Sequence, residues 1–317
     1  MSITVCLSRA LPLPEIKLGP DTITFVPVEN TSKVPEGTRV FGTTALDQVE
    51  AEAIAALPES VGLIANIGVG FDNIDLAAAA RRGIQVSNTP TVTEDTADLA
   101  FGLILAACRR IGEGERFLRS GQWASPQAAP PLGTRVHGQT LGLVGFGAIS
   151  RAVARRARGF GMDILYTDLA QMTDAEREIG ARFVDDLHEL LGQSDIVSIH
   201  TVLTPQTRHL IDARALAAMR EGAVLINAAR GGIVDEAALC AALDRGHIAA
   251  VGLDVFEGEP AVRPDLLARE NVVLTPHIGS ATAACRADMV KCFLSNVTAF
   301  LSGGAPINPV PLPDVEP

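Results

Sequence analysis

The chain contains few aromatic residues and very few lysines. Only 4% of its 317 residues are aromatic, with a single Trp and a single Tyr. The lone tyrosine, Tyr166, is followed four positions later by Ala170, so the Tyr-x-x-x-Lys pair of short-chain dehydrogenases is excluded. Lys17, Lys33 and Lys291 are the only lysines, and none lies in a glycine-rich motif. A Schiff-base enzyme is therefore disfavoured.

Cysteine is also scarce and has no metal-binding spacing. The five cysteines are scattered without a CxxC pair, and the sequence holds no HExxH motif. Each of these patterns is typical of one class of common zinc site. The sequence thus predicts no metal site, and it predicts thiols that act as small buried hydrophobes in a reducing compartment.

Long apolar runs and an excess of positive charge are missing as well. The longest apolar stretch, residues 99–108, covers ten residues and ends at Arg109 and Arg110, well short of a membrane-spanning helix. The N-terminal residues lack the basic and apolar regions of a secretory signal, which favours the cytoplasm. With 37 acidic against 26 basic residues, the net charge of -11 opposes binding to nucleic acid or anionic membranes.

What the sequence does contain is alternation of short apolar strands with helical segments. Its 47% apolar content is typical of a globular protein, and its length suits about two domains. Strands are predicted at residues 3–7, 22–28, 63–67 and 85–87, and again at 141–144, 163–167, 196–200, 224–228, 250–254 and 272–274. Such βα alternation predicts an α/β protein with doubly wound parallel sheets.

A glycine-rich turn follows the strand at residues 141–144. It reads Gly145-x-Gly147 and opens a helix at Ala148 and Ile149. Glycines there permit a tight turn and let backbone N–H groups at a helix N-terminus approach a pyrophosphate. The third glycine of the dinucleotide fingerprint is replaced by Ser150, whose hydroxyl would need a partner at the contact between helix and strand.

An acidic residue stands where a ribose-binding carboxylate is expected. Asp168 ends the next strand, 23 residues after Gly145, close to the spacing of about 20 in dinucleotide-binding folds. Leu169, Ala170 and Gln171 follow it, so no adjacent cation could receive a 2′-phosphate. NAD is therefore predicted as the cofactor, and NADP is disfavoured.

Three further motifs follow later strands in order. They are residues 227–235 (NAARGGIVD), 252–260 (GLDVFEGEP) and 274–281 (LTPHIGSA). Together with residues 66–75 (NIGVGFDNID) and 121–123 (GQW), they make the chain resemble the D-2-hydroxyacid dehydrogenase family from about residue 66 to 307. Within the family the sequence is most similar to glyoxylate and hydroxypyruvate reductases. The Thr201-Val202 segment departs from the family by lacking its usual proline at Val202.

The resemblance implies a set of site residues. Arg230, Glu259 and His277 would be catalytic, with His277 as the general acid and Glu259 as its partner, preferred over the competing Glu257. Val69 and Gly70 would bind the substrate together with Arg230. The cofactor set would be Gly145, Gly147, Ala148, Ile149, Asp168, Thr201, Ala228, Asp254, His277 and Gly279.

The resemblance also implies the architecture. Two Rossmann-like βα domains are expected, an outer substrate domain made of residues 1–95 plus 284–317 and an NAD-binding domain of residues 96–283. The active site is expected in the interdomain cleft. A homodimer formed through the cofactor domain is expected, with Trp123 as an interface anchor.

The sequence thus predicts an NAD-dependent enzyme that reduces a small 2-oxo acid, glyoxylate or hydroxypyruvate, to the D-2-hydroxy acid. Two alternatives stay open at this point. One is a dinucleotide-sensing, corepressor-like interaction protein on the same fold. The other is a phosphoglycerate-type dehydrogenase without a regulatory domain. Turnover of a 2-oxo acid separates the first alternative from the enzyme.

Overall fold

The computed structural model describes residues 2–315, and these divide into two compact units. Unit 1 contains the residues up to Val92 together with those from Ala281 onward, and unit 2 is Thr93–Ser280. The assignment of substrate binding to the discontinuous unit and of NAD binding to the other stays a prediction.

The secondary structure of the described residues alternates strands and helices throughout. The strands are β1 (Ser2–Leu7), β2 (Ile16–Leu18), β3 (Asp21–Pro27), β4 (Val40–Thr44), β5 (Leu63–Ile67), β6 (Gln85–Ser87), β7 (Thr140–Val144), β8 (Asp163–Thr167), β9 (Ala181–Phe183), β10 (Ile196–Ile199), β11 (Ala223–Asn227), β12 (Ile248–Leu253) and β13 (Val272–Leu274). The helices are α1 (Ala51–Ala55), α2 (Leu76–Arg81), α3 (Thr93–Cys108), α4 (Ile111–Arg119), α5 (Ala148–Arg158), α6 (Thr173–Ile179), α7 (Leu187–Gln193), α8 (Ala213–Ala218), α9 (Glu236–Asp244), α10 (Pro264–Leu267) and α11 (Ala283–Leu301).

Unit 1 is built on a six-stranded sheet in the order β2-β3-β1-β4-β5-β6. Five of these strands run parallel, whereas β2 pairs antiparallel with β3 at the edge. The two are joined by a two-residue turn in which Gly19 has φ of +59°, a conformation that favours glycine. The expectation of a wholly parallel sheet is corrected at this edge.

Helices cover both faces of the unit 1 sheet. On one face Ile54 of α1 packs with Phe41 and Ile64, all fully buried or nearly so. On the other face Phe293 and Val297 of α11 complete a core with the inner side chains of β1, β4 and β5. The C-terminal helix therefore belongs to the unit that the N-terminal strands begin, which is why this unit is discontinuous in sequence.

Unit 2 is built on a seven-stranded sheet in the order β13-β12-β11-β10-β7-β8-β9, with every pair parallel. Two buried clusters, one on each face, hold the helices against it. This arrangement confirms the predicted doubly wound α/β fold. The chain leaves β7 towards β8 on one side and later reaches β10 on the other, so the strand order reverses at β7. In such folds the crevice beyond the carboxyl ends at this reversal is the usual ligand site.

No helix within residues 2–315 is long and apolar enough to cross a membrane. Over the same residues, no group of three or more His, Cys, Asp or Glu side chains is arranged to hold a metal ion.

Candidate active site

The glycine turn lies at the carboxyl end of β7. Gly145 has φ of +89° and donates its N–H to the carbonyl of Thr167, 2.9 Å away. A Cβ atom at Gly145 would lie 2.9 Å from the carbonyl carbon of His200 and from the backbone nitrogen of Thr201, closer than side chains tolerate. Position 145 therefore needs glycine for two reasons, the positive φ and the lack of room for a Cβ atom. The absence of a side chain lets the backbone of the turn pack directly against the residues after β10.

The helix after this turn begins with its N–H groups uncapped by any side chain. Gly147 is the N-cap of α5, and Ala148 and Ile149 form the first turn. A glycine N-cap leaves room for a ligand to approach the free N–H groups, and the helix dipole favours an anion there. The turn and the helix start fit the pyrophosphate of a dinucleotide.

Asp168 follows β8 and is held beside the glycine turn. Its Oδ2 atom accepts a hydrogen bond of 2.6 Å from the Phe146 N–H, and its Oδ1 atom accepts one of 2.7 Å from the Leu169 N–H. The carboxylate is thereby fixed next to the glycine turn. Leu169 and Ala170 are exposed and bring no positive charge.

Ser150, at the third fingerprint position, is fully buried in α5. Its Oγ atom has no hydrogen-bond partner among the described residues. The side chain is small enough for the contact between helix and strand, but the partner that its hydroxyl would need is missing. The substitution of serine for glycine therefore leaves a buried polar atom unsatisfied, which is unfavourable for folding.

Arg230 follows β11 on a loop that the protein fixes from two sides. The buried Asn227 donates its Nδ2–H to the carbonyl of Arg230, at 2.9 Å, and accepts the Ala229 N–H at 3.0 Å. The residue after Arg230 must be glycine, because a Cβ atom at Gly231 would lie 1.9 Å from the carbonyl carbon of Phe256. The loop can therefore pack directly against the backbone of Phe256. The partly buried Arg230 guanidinium donates to the Ala229 carbonyl at 2.9 Å.

His277 and Glu259 form a close pair. Nδ1 of His277 lies 2.8 Å from Oε1 of Glu259, and the two side chains are 31% and 27% exposed. His277 has φ of +53°, an unusual backbone conformation for a residue other than glycine. Glu257, the competing acid in the same motif, instead pairs with His209 at 3.0 Å and Arg208 at 2.8 Å.

Asp254 holds the loop that carries this histidine. Its carboxylate is buried and accepts hydrogen bonds from the Thr275 hydroxyl at 2.6 Å, the Ile278 N–H at 2.8 Å and the Gly279 N–H at 2.9 Å. Its own carbonyl accepts the N–H of His277 at 2.8 Å. Burial raises the pKa of Asp254, and these three hydrogen bonds to its carboxylate oppose that rise. The unusual backbone of His277 is therefore stabilised by one buried acid.

The remaining predicted residues fall into two groups. Thr201 and Ala228 follow β10 and β11, so they lie at the same edge of the unit 2 sheet as Gly145 and Asp168. Val69 and Gly70 lie in unit 1, on the loop after β5. There the Asn66 side chain donates to the Gly70 carbonyl at 2.8 Å.

Sequence reasoning did not single out the residues that support this site. Asn227 and Thr275 stand inside quoted motifs, but their roles depend on side-chain contacts that no spacing rule gives. Thr96 is a third case: a Cβ at Gly279 would lie 3.3 Å from its Cγ2 atom, so α3 closes against the histidine loop. A polar residue at the end of an apolar strand was the signal that the sequence offered for Asn227.

Taken together, unit 2 presents a dinucleotide-type glycine turn, a ribose-type acid, an arginine loop and a histidine–carboxylate pair on loops at the carboxyl edge of one parallel sheet. This combination is typical of oxidoreductases that use a pyridine nucleotide, in which such groups supply a cofactor site, an anion-binding cation and a proton donor.

Comparison with known proteins gives the family. Residues 101–279 match the model of the D-isomer specific 2-hydroxyacid dehydrogenase, NAD binding domain. A glyoxylate reductase of Thermococcus litoralis is 47% identical over 271 residues, which cover 84% of this chain and 81% of the relative. The chain belongs to the D-isomer-specific 2-hydroxyacid dehydrogenase family, as its motifs indicate.

Solved structures agree over almost the whole chain. The crystal structure of a glyoxylate reductase from Paecilomyes thermophila is 35% identical, has a TM-score of 0.87 and covers 98% of both chains. An NADPH-dependent glyoxylate/hydroxypyruvate reductase from Sinorhizobium meliloti, solved with NADP and malonate, is 33% identical with a TM-score of 0.85, covering 97% of this chain and 96% of that one. A nicotinamide dinucleotide, NAD or NADP, is therefore the cofactor class of this fold.

Proposed function

We propose that the protein uses NADH to reduce a small 2-oxo acid, glyoxylate or hydroxypyruvate, to the D-2-hydroxy acid. The observation that carries the proposal is the pair of His277 and Glu259, 2.8 Å apart in the unit that also contains the glycine turn. The substrate class is supported by the names of the relatives, which are glyoxylate reductases. The reaction adds a hydride to C2 and a proton to the oxygen on C2.

His277 is the proposed proton donor. With Nδ1 engaged by Glu259, its Nε2 atom is the one that would deliver a proton to the substrate oxygen. The bound nicotinamide supplies the hydride. Glu259 stabilises the protonated imidazole and fixes the orientation of the ring, which is the role of a carboxylate in comparable catalytic pairs.

Arg230, Val69 and Gly70 are the proposed substrate-binding residues. A guanidinium presents a planar fork that matches a carboxylate and can also polarise the carbonyl at C2. The Asn227 contacts keep the loop of Arg230 rigid, so little freedom is lost when the substrate binds. The N–H groups of Val69 and Gly70 suit the substrate carboxylate, because consecutive backbone amides form an anion-binding concavity.

NADH is the proposed cofactor in preference to NADPH. Asp168 is already oriented by two backbone N–H groups, and its negative charge would repel a 2′-phosphate. The remaining proposed cofactor contacts are Thr201, Ala228, Asp254 and Gly279. The Sinorhizobium meliloti relative is NADPH-dependent, so the choice within the family has to be measured for this chain.

A homodimer is also proposed, on the basis of apolar surface in and after α4. No residue of α4 is buried. Ile111 is 56% exposed, Leu118 58%, Trp123 62% and Leu132 94%, a concentration of large apolar side chains that usually marks an interface. Sedimentation at micromolar concentration should give the mass of a dimer, and Trp123→Ser should weaken the association. A monomeric wild type would refute this.

A cytoplasmic location is proposed from the thiols. All five cysteines are free, and four of them are buried. Free thiols persist in a reducing compartment. Fractionation of the source cells followed by immunodetection would test this.

The main test is a panel of 2-oxo acids assayed with NADH and with NADPH. Glyoxylate and hydroxypyruvate should be reduced fastest, and kcat/KM with NADH should exceed that with NADPH at least tenfold. Chiral analysis of the hydroxypyruvate product should give the D isomer. Tight NADH binding with no turnover of any 2-oxo acid would instead favour a dinucleotide-sensing interaction protein.

A further inference from the structure

In the loop after β5, three backbone carbonyl groups accept hydrogen bonds from other residues of unit 1. The Gly68 carbonyl accepts the Thr89 N–H at 3.0 Å, and the Val69 carbonyl accepts the side-chain amide of Asn88 at 2.8 Å. The Gly70 carbonyl accepts the side-chain amide of Asn66 at 2.8 Å. Three consecutive carbonyls are thus each held by a donor of unit 1, two of them by asparagine side chains.

The same hydrogen bonds orient the N–H groups of this loop. In a trans peptide the carbonyl and the following N–H lie on opposite sides of the chain. Thr89 accordingly orients the N–H of Val69, Asn88 that of Gly70, and Asn66 that of Phe71. Among residues 2–315, none of these three N–H groups donates to a protein acceptor.

Asn88 is itself held by the C-terminal part of the chain. Its N–H donates to the Asn308 carbonyl at 3.2 Å, and its carbonyl accepts the side-chain amide of Asn296 at 2.9 Å. The fully buried Asn296, in α11, also accepts the Asn308 N–H at 2.8 Å. The backbone of Asn88 is therefore fixed at both of its polar groups, and from this backbone its side chain reaches the Val69 carbonyl.

We propose that Asn66 and Asn88 are positioning residues for substrate recognition. They hold Gly70 and Phe71 so that their N–H groups, with that of Val69, receive the carboxylate of the 2-oxo acid. The inference rests on the proposed function and adds to it a third donor, the Phe71 N–H, and the residues that aim the donors. It also makes the C-terminal segment around Asn308 part of the apparatus that sets substrate affinity.

The first test replaces Asn88 by Asp and by Ala. Both changes remove the donor to the Val69 carbonyl, and Asp also sets a carboxylate oxygen against the carbonyl oxygen. KM for glyoxylate should rise at least tenfold in Asn88→Asp and severalfold in Asn88→Ala, while kcat and KM for NADH stay within about twofold. If KM for glyoxylate rose in Asn88→Asp but not in Asn88→Ala, the cause would be repulsion between the new charge and the substrate, and the positioning role would be refuted.

A second variant and a neutral substrate sharpen the result. Asn66→Asp should act in the same direction, and circular dichroism will show whether this buried position still permits folding. Glyoxylamide, which lacks the carboxylate, should be reduced by Asn88→Asp and wild type with similar kcat/KM. If Asn88→Asp lowered kcat/KM equally for glyoxylate and glyoxylamide, the loss would reflect general damage to the site, and the proposal would be overturned.

Asn271→Asp is the matched control. The Asn271 side chain donates to the Ala249 carbonyl at 3.0 Å in unit 2, so the same change removes the same kind of hydrogen bond elsewhere. Its KM for glyoxylate should equal that of the wild type. Wild-type KM in Asn88→Asp would refute the positioning role but leave the proposed function intact, whereas a wild type that reduces no 2-oxo acid would refute both.

Discussion

Glu259 and His277 meet at 2.8 Å although they come from separate loops, one after β12 and one after β13. The contact depends on Asp254, whose carboxylate and carbonyl bind the backbone N–H groups of His277, Ile278 and Gly279. The imidazole is thus placed by backbone interactions and then oriented by a single carboxylate. Removing the Glu259 carboxylate should therefore change the charge beside the His277 ring without moving the loop that carries His277.

Glu259→Gln should slow the chemical step. The amide keeps the size of the side chain but loses the negative charge beside the imidazole, so kcat for 2-oxo acid reduction should fall by about tenfold or more. KM for NADH should stay unchanged. Glu257→Gln is the matched control, because it removes the acid from the neighbouring pair with His209. A kcat equal to that of the wild type in Glu259→Gln would exclude Glu259 from the proton transfer.

His277→Ala should abolish the proposed proton donor. Loss of a general acid should lower kcat for 2-oxo acid reduction by ~10²–10⁴. NADH binding, followed by fluorescence titration, should be nearly unaffected. Turnover close to that of the wild type would show that another group delivers the proton.

Arg230→Lys should impair binding and chemistry together. Lysine keeps the charge but loses the planar fork, so KM for the 2-oxo acid should rise and kcat should fall, each by about tenfold or more. Arg269→Lys is a suitable control, since Arg269 pairs with Asp244 at 2.9 Å outside the proposed site. A variant at Arg230 that changes neither constant would remove this residue from the proposed substrate contacts.

The sequence predicted the strands that frame the site but not every strand of the sheets. β4 escaped notice because its central Gly42 interrupts the apolar run, and the structure explains that glycine: a Cβ there would lie 2.6 Å from Leu7 and 3.0 Å from Phe293. The need for glycine comes from Leu7 of β1 and from Phe293 of α11, the latter about 250 residues later in the chain, so no local pattern could reveal it. β9, only three residues long, lies at a sheet edge with little apolar signal.

The chemistry of the site was easier to predict than its supports. Motif spacing indicated Gly145 and Asp168, and family resemblance indicated Glu259 and His277, which the structure brings within hydrogen-bonding distance. The asparagine contacts to the Gly68–Gly70 loop come from residues on β5 and after β6, and they depend on the register of that sheet. Such register is a tertiary property, set by packing and not by sequence spacing.

Ser150→Ala should stabilise the protein. The buried hydroxyl has no partner, and alanine also has the higher helix propensity, so the free energy of unfolding should increase by about 1 kcal/mol. Ser194→Ala is the control, because the buried Ser194 hydroxyl donates to the Leu190 carbonyl at 2.7 Å and its removal should destabilise. Urea denaturation at constant pH measures both. A loss of stability in Ser150→Ala would mean that the hydroxyl is satisfied in solution.

His200 should make the stability of the protein depend on pH. Burial lowers the pKa of His200 to about 4, and its Nε2 atom lies 2.8 Å from the Ser198 hydroxyl. In the unfolded chain an imidazole titrates near 6.5. As pH falls from about 6.5 towards 4, the unfolded state takes up a proton that the folded state does not, so stability is lost across that window.

Replacing His200 by Gln should remove this part of the pH dependence. The wild type should lose on the order of 2 kcal/mol of unfolding free energy between pH 7 and pH 4.5 through this residue, and His200→Gln should lose correspondingly less, whatever its stability at pH 7. The exposed His137→Gln should leave the difference between the two pH values unchanged. Urea denaturation of the three proteins at both pH values decides the matter. Parallel losses in wild type and His200→Gln would show that His200 is protonated equally in the folded and unfolded states.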